Sequence, residues 1–139
     1  MEYKKIQDTI FVRMDPGDEV VSGLQKIAET EHILLAEVHG LGALNRLTVG
    51  VWQLDSKTFR PNCFEGAYEV TSLTGTITEQ DGAPYLHLHM SAGDADGNVV
   101  GGHLTEAVVS ATAEITVRLL DGHVGRQYDS VTGLNLFSF

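Results

Sequence analysis

The chain has a single cysteine, Cys63, so no disulfide can form within it. That suits a reducing cytoplasm, the compartment expected here. With no histidine beside it in sequence, Cys63 reads as a small buried hydrophobe rather than a nucleophile. Basic residues are also scarce: nine Lys and Arg stand against nineteen Asp and Glu. Between Arg60 and Arg118 there is no Lys or Arg at all, while that stretch holds Glu65, Glu69, Glu79, Asp81, Asp94, Asp96, Glu106 and Glu114. Non-specific DNA binding depends on Lys and Arg displacing phosphate counterions, so this composition disfavours nucleic acid and favours cations. No apolar run approaches membrane-spanning length. Met1-Glu2-Tyr3-Lys4-Lys5 leads into no apolar segment of a secretory signal. Repeats, low-complexity tracts and linkers are missing too, and 139 residues fit one domain, spanning residues 1–139, with one core.

What is present is mostly strand grammar. Ile10 to Met14 reads as a short strand. Asp15-Pro16-Gly17-Asp18 is a turn that can start a helix, with Asp15 or Gly17 near the cap. Val20, Val21, Leu24, Ile27 and Ala28 recur at helical spacing, so residues 18–30 are an amphipathic helix with Glu19, Gln25, Lys26 and Glu29 outward. Strands follow at Ile33 to Val38 and at Leu47 to Leu54, separated by a break at Gly40-Leu41-Gly42. Lys57 to Asn62 reads as a polar connection. Tyr68 to Leu73, Pro84 to Ser91 and Ala107 to Leu120 are further strands, with turns at Glu79 to Gly82 and Gly93 to Asn98. The apolar tail Leu134 to Phe139 must pack on this chain's own sheet or on a neighbour's. Hairpin spacings together with the helix over residues 18–30 predict an α+β domain, a mainly antiparallel sheet packed with one or two helices.

The residues that carry chemistry are histidines. His87-Leu88-His89 lies in a strand, where alternation puts both rings on one face with Tyr85 and Ser91, and sends Leu86, Leu88 and Met90 to the core. His103 follows the turn at Gly93 to Asn98, placed for a hairpin to bring it back, and Gly101-Gly102 before it permit close backbone approach. Three neutral imidazoles suit a divalent metal, zinc above all, and leave a fourth position open for water or a ligand. Glu106, Glu114 or a backbone carbonyl are candidates to orient the rings. The spacing also fits surface decoration of a polar strand face. His32, His39 and His123 are isolated in the pattern, with His32 at a strand start and His123 in a turn. Asp94-Ala95-Asp96-Gly97 is not an EF-hand, because the positions that need Gly and Glu are Val99 and Thr105. Gly40-Leu41-Gly42 lacks the third glycine of a dinucleotide fingerprint.

In this order and spacing the motifs resemble the PPC domain, the plants and prokaryotes conserved family whose plant members carry AT-hooks. The resemblance runs through Asp15-Pro16-Gly17-Asp18-Glu19-Val20, Val38-His39-Gly40-Leu41-Gly42-Ala43-Leu44, Tyr68 to Gly75, Pro84-Tyr85-Leu86-His87-Leu88-His89, Gly101-Gly102-His103-Leu104 and Thr112-Ala113-Glu114-Ile115. It implies a mainly antiparallel fold, a homotrimer, and a metal site at His87, His89 and His103. The family's DNA-binding label implies a regulatory role on DNA, but this chain has no Arg-Gly-Arg-Pro hook and no basic tail. A weaker likeness is to acetolactate decarboxylase, which implies a metal-dependent lyase or hydrolase as an alternative. Such an enzyme would need an arginine for a substrate carboxylate, for which Arg13, Arg46 and Arg118 are the candidates.

Overall fold

A computed structural model describes residues 1–139. It contains eight strands and one helix: β1 (Glu2–Ile6), β2 (Thr9–Met14), α1 (Val20–Thr30), β3 (Ala36–Gln53), β4 (Thr58–Gln80), β5 (Ala83–Gly93), β6 (Val99–Leu119), β7 (Gly125–Asp129) and β8 (Leu134–Ser138). Six strands form one antiparallel sheet in the order β1-β2-β6-β3-β4-β5, and β5 also pairs with β6. That extra pairing closes β6, β3, β4 and β5 into a ring of strands. Closure needs strands long enough to bend and change partners. β6, with 21 residues, pairs with β5 through Val99 to His103 and with β2 through Ala113 to Arg118.

The long strands correct three sequence expectations. Gly40-Leu41-Gly42 does not end a strand; β3 runs through it, and the glycines mark register shifts at Gly40/Gly42 against β4 and at Gly42/Leu44 against β6. A strand absorbs such an extra residue as a bulge, which bends it and tightens its twist. The polar segment Lys57 to Asn62 is the start of β4 from Thr58 on, because pairing to Val49–Gln53 satisfies its backbone whatever its side chains. Cys63 is exposed rather than buried, on a part of β4 that also exposes Pro61 and Asn62. Two strands carried no sequence signal: β1, exposed at every residue, and β7, the partner of the apolar tail. The tail itself forms β8.

Helix α1 turns Val20, Leu24, Ile27 and Ala28 into the core. Burying Val20, Leu24 and Ile27 contributes roughly 1.5–3 kcal/mol apiece. Its cap is neither Asp15 nor Gly17 but Glu19, expected on the outward face. The Glu19 carboxylate accepts from the Val21 and Ser22 amides and also from Ala107 of β6, 3.1 Å away. One side chain therefore satisfies helix-end donors and ties the helix to the sheet. His32 lies just past the helix at positive φ, not at a strand start. No helix is long and apolar enough to cross a membrane.

Candidate metal centre

The outward face of β4 and β5 carries the site. On β5, Leu88 and Met90 are buried, so Tyr85, His87, His89 and Ser91 must face the other way. On β4, Leu73 and Ile77 go to the core, which leaves Thr74, Thr76 and Thr78 beside them. The register makes a ladder of three rungs: Thr78 opposite Tyr85, Thr76 opposite His87, Thr74 opposite His89. His103 joins from β6, where it is the direct partner of His89 and also of Gly50 on β3.

Two glycines permit this close assembly. A Cβ on Gly102 would lie 2.5 Å from the Gly50 carbonyl oxygen, so only glycine lets β6 approach β3 where His103 emerges. A Cβ on Gly75 would overlap the His87 carbonyl oxygen and lie 2.9 Å from Leu88 Cα, so β4 can run this close behind His87 only without a side chain.

The three rings converge, with centroids 5.3 Å apart for His87–His89, 5.3 Å for His87–His103 and 5.5 Å for His89–His103. One nitrogen from each lies within 4.8 Å of the others. Tetrahedral zinc with Zn–N of ~2.0–2.1 Å holds its nitrogens roughly 3.4 Å apart, within reach of small ring rotations. The donor set thus fits a divalent cation. Phe59 of β4 packs edge-on against His103 at 5.7 Å and walls that side. His89 is exposed, while His103 is half-buried.

The electrostatics favour the neutral form of His87 and His103. Burial pushes the His87 imidazole down to about 4, helped by the charges of His103, Arg126 and His89. Burial also lowers His103, with His89 adding to it. Neutral imidazole is the form that ligates a metal. The same shift predicts a stability profile for metal-free protein. Between about pH 6.5 and 4 the unfolded chain takes up a proton at His87 that the folded chain refuses. Stability should therefore fall as pH drops through that window. Urea midpoints of chelator-treated protein should decline over it, and His87→Asn should flatten the decline. An unchanged slope in that variant would assign the effect to other groups.

The carboxylates and arginines singled out from sequence lie elsewhere. Glu106 is engaged by Arg46 and, at 3.3 Å, by Thr48. Arg13 pairs with Glu2 and Asp15, and Glu114 sits opposite Arg13 across β6 and β2. Arg118 lies opposite Thr9 and Glu37. The arginine that reaches the histidine face is Arg126 of β7, which sequence reasoning missed. Its guanidinium lies over the Tyr85 ring at 4.8 Å and the Phe137 ring at 4.3 Å. Its Nε donates to Thr78 Oγ1 at 2.9 Å, its Nη1 to the Asn135 carbonyl at 3.1 Å and its Nη2 to Thr76 Oγ1 at 3.5 Å. Only a hairpin folded back on β4 could bring it there, and β7 itself was not legible. His123 is also drawn to β4, bonding Glu79 at 2.6 Å, whereas His39 stands exposed on β3. The Asp94 turn is closed by its own carboxylate, which accepts from the Asp96 and Asn98 amides.

Solved structures resemble this chain over nearly its whole length. A protein from Bacteroides thetaiotaomicron, described as a "putative dna binding protein", is 30% identical with a TM-score of 0.96, covering 99% of this chain and 96% of that one. A protein from Archaeoglobus fulgidus described as metal-containing is 26% identical with a TM-score of 0.87, covering 100% of this chain and 99% of that one. Acetolactate decarboxylase from Bacillus subtilis shares the fold alone, at 16% identity and a TM-score of 0.59, covering 84% of this chain and 54% of the enzyme. No curated protein sequence matches the chain. The model of the Plants and Prokaryotes Conserved (PCC, or PPC) domain matches residues 1–121, and the chain belongs to that family.

Proposed function

We propose that this protein is a metal-binding PPC-domain protein in which His87, His89 and His103 hold one divalent cation, zinc first among the candidates, and leave a coordination position for a small molecule. The convergence of three imidazole nitrogens within 4.8 Å carries the reading. The metal-containing description of the Archaeoglobus relative supports it. A cation bound there would supply Lewis acidity to a coordinated oxygen. A lyase or hydrolase is therefore the second reading, favoured by the exposure of His89.

The working unit is a homotrimer of single-domain chains, residues 1–139, in the cytoplasm. Support for self-association comes from a groove of about 760 Å³ across the outer faces of β2, β3 and β6, where Phe11 and Leu41 are exposed. Large exposed apolar side chains on a sheet face favour a protein contact. A DNA-binding role, carried over from the Bacteroides relative, has the net charge of −10 against it.

Elemental analysis and light scattering of protein purified without chelators test the proposal together. The expected result is about one metal per chain at the mass of three chains. Metal-free protein would sink the metal reading, and a monomer would sink the trimer. Duplex binding at physiological salt would restore the DNA reading.

A further inference from the structure

The Arg126 guanidinium is a fixed positive charge with an unfinished set of partners. Its three hydrogen bonds all go to neutral oxygens, those of Thr78, Asn135 and Thr76. The arginine–carboxylate pairs of the chain belong to Arg13 and Arg46. A guanidinium has five N–H donors, so at least two are left over here. Its orientation is set by the rungs of the ladder. Nε sits at Thr78, opposite Tyr85, and Nη2 at Thr76, opposite His87. The donor end therefore points along β4 toward the histidines. The Tyr85 and Phe137 rings both lie against the group, and the Thr78 to which it donates is fully buried.

Half-buried cations of this kind are usually matched by an anion. With a dication on the three imidazoles, the face would carry two positive centres side by side, and their nearest neighbours on the ladder are threonines. We propose that Arg126 is the anion-recognition half of this site, and that the ligand is a small carboxylate with one oxygen on the metal and another on the guanidinium. A planar carboxylate matches the guanidinium fork, and a two-point grip fixes its orientation. Because Arg126 lies beyond residues 1–121, the recognition group comes from outside the segment that matches the family model.

This inference rests on the metal reading, and the test separates the two. Co(II) is loaded onto the full-length protein and its visible absorption bands are followed during titration with lactate, and in parallel with lactamide, its neutral counterpart. Lactate should perturb the bands of the wild type at lower concentration than lactamide. Arg126→Gln should take up cobalt with unchanged stoichiometry, weaken lactate by ~10–100-fold and leave lactamide unaffected. Arg126→Lys should fall between. Were Arg126→Gln to misfold, the wild type alone still decides, because equal affinity for lactate and lactamide overturns the proposal. So does a folded Arg126→Gln that binds lactate as tightly as the wild type. Failure of the wild type to load cobalt would remove the metal reading and this one with it.

Discussion

Replacing His89 with Ala is expected to strip the protein of stoichiometric metal while leaving it folded. His89 is one of three ligands and the direct cross-strand partner of a second, His103. Without it, two imidazoles remain, from His87 and His103. Losing even a residue that only orients a ligand costs ~10–100-fold in metal affinity. Losing a ligand outright should exceed that range. The ring is exposed, so its removal opens no cavity, and stability of the metal-free form should stay within about 0.5 kcal/mol of wild type. His39→Ala is the matched control: an exposed histidine on β3 outside the three-ring cluster, whose loss should leave metal content unchanged. Elemental analysis of the two variants after identical purification reads the difference. Full metal in His89→Ala would mean that the cation, if bound, sits somewhere else.

The second large effect is expected from Gly75→Ala. The methyl group would overlap the His87 carbonyl oxygen and crowd Leu88 Cα, and both are backbone atoms inside a paired ladder. Unlike the tip of a flexible side chain, these cannot move without shifting β5. Overpacking of this kind costs about 1–3 kcal/mol or more. For a domain of this size that lowers the thermal midpoint by roughly 3–10 °C. Displacing β5 at His87 also spoils the metal geometry, so affinity should fall with stability. Gly93→Ala, on the neighbouring strand β5, provides the comparison, since its Cβ would meet nothing nearer than 3.8 Å. Equal midpoints for the two variants would contradict the close-approach argument.

Much of the site was legible in the sequence because strand alternation is a strict code. A period of two put His87 and His89 on one face, and the turn at Gly93 to Asn98 implied the hairpin that returns His103. The fold was legible for a similar reason at α1 and β5, where the apolar period matched the face that is buried. It failed where tertiary pairing overrides local signals. Lys57 to Asn62 looks like a loop because its side chains are polar, yet from Thr58 on the backbone is paired to β3. Gly40 and Gly42 look like a break but produce bulges inside one long strand.

Arg126 illustrates the harder limit. The stretch without Lys or Arg between Arg60 and Arg118 pointed to an all-acidic setting for the histidines. The C-terminal hairpin then lays an arginine across Thr76 and Thr78, next to His87. Nothing in local spacing links residue 126 to residue 87; only the docking of β7 on β4 does. Likewise Glu19 caps α1 and grips the Ala107 amide because the helix start lies against β6, a contact absent from the helical pattern itself.

The most direct test of the account is anomalous diffraction from crystals of protein purified without chelators, with data collected on both sides of the zinc absorption edge. The account predicts one strong peak among His87, His89 and His103, with three nitrogens at ~2.0–2.1 Å and a fourth position facing Arg126 if the metal is zinc. A map with no peak there, or a cation bound elsewhere on the acidic surface while the three rings remain unliganded, would contradict it.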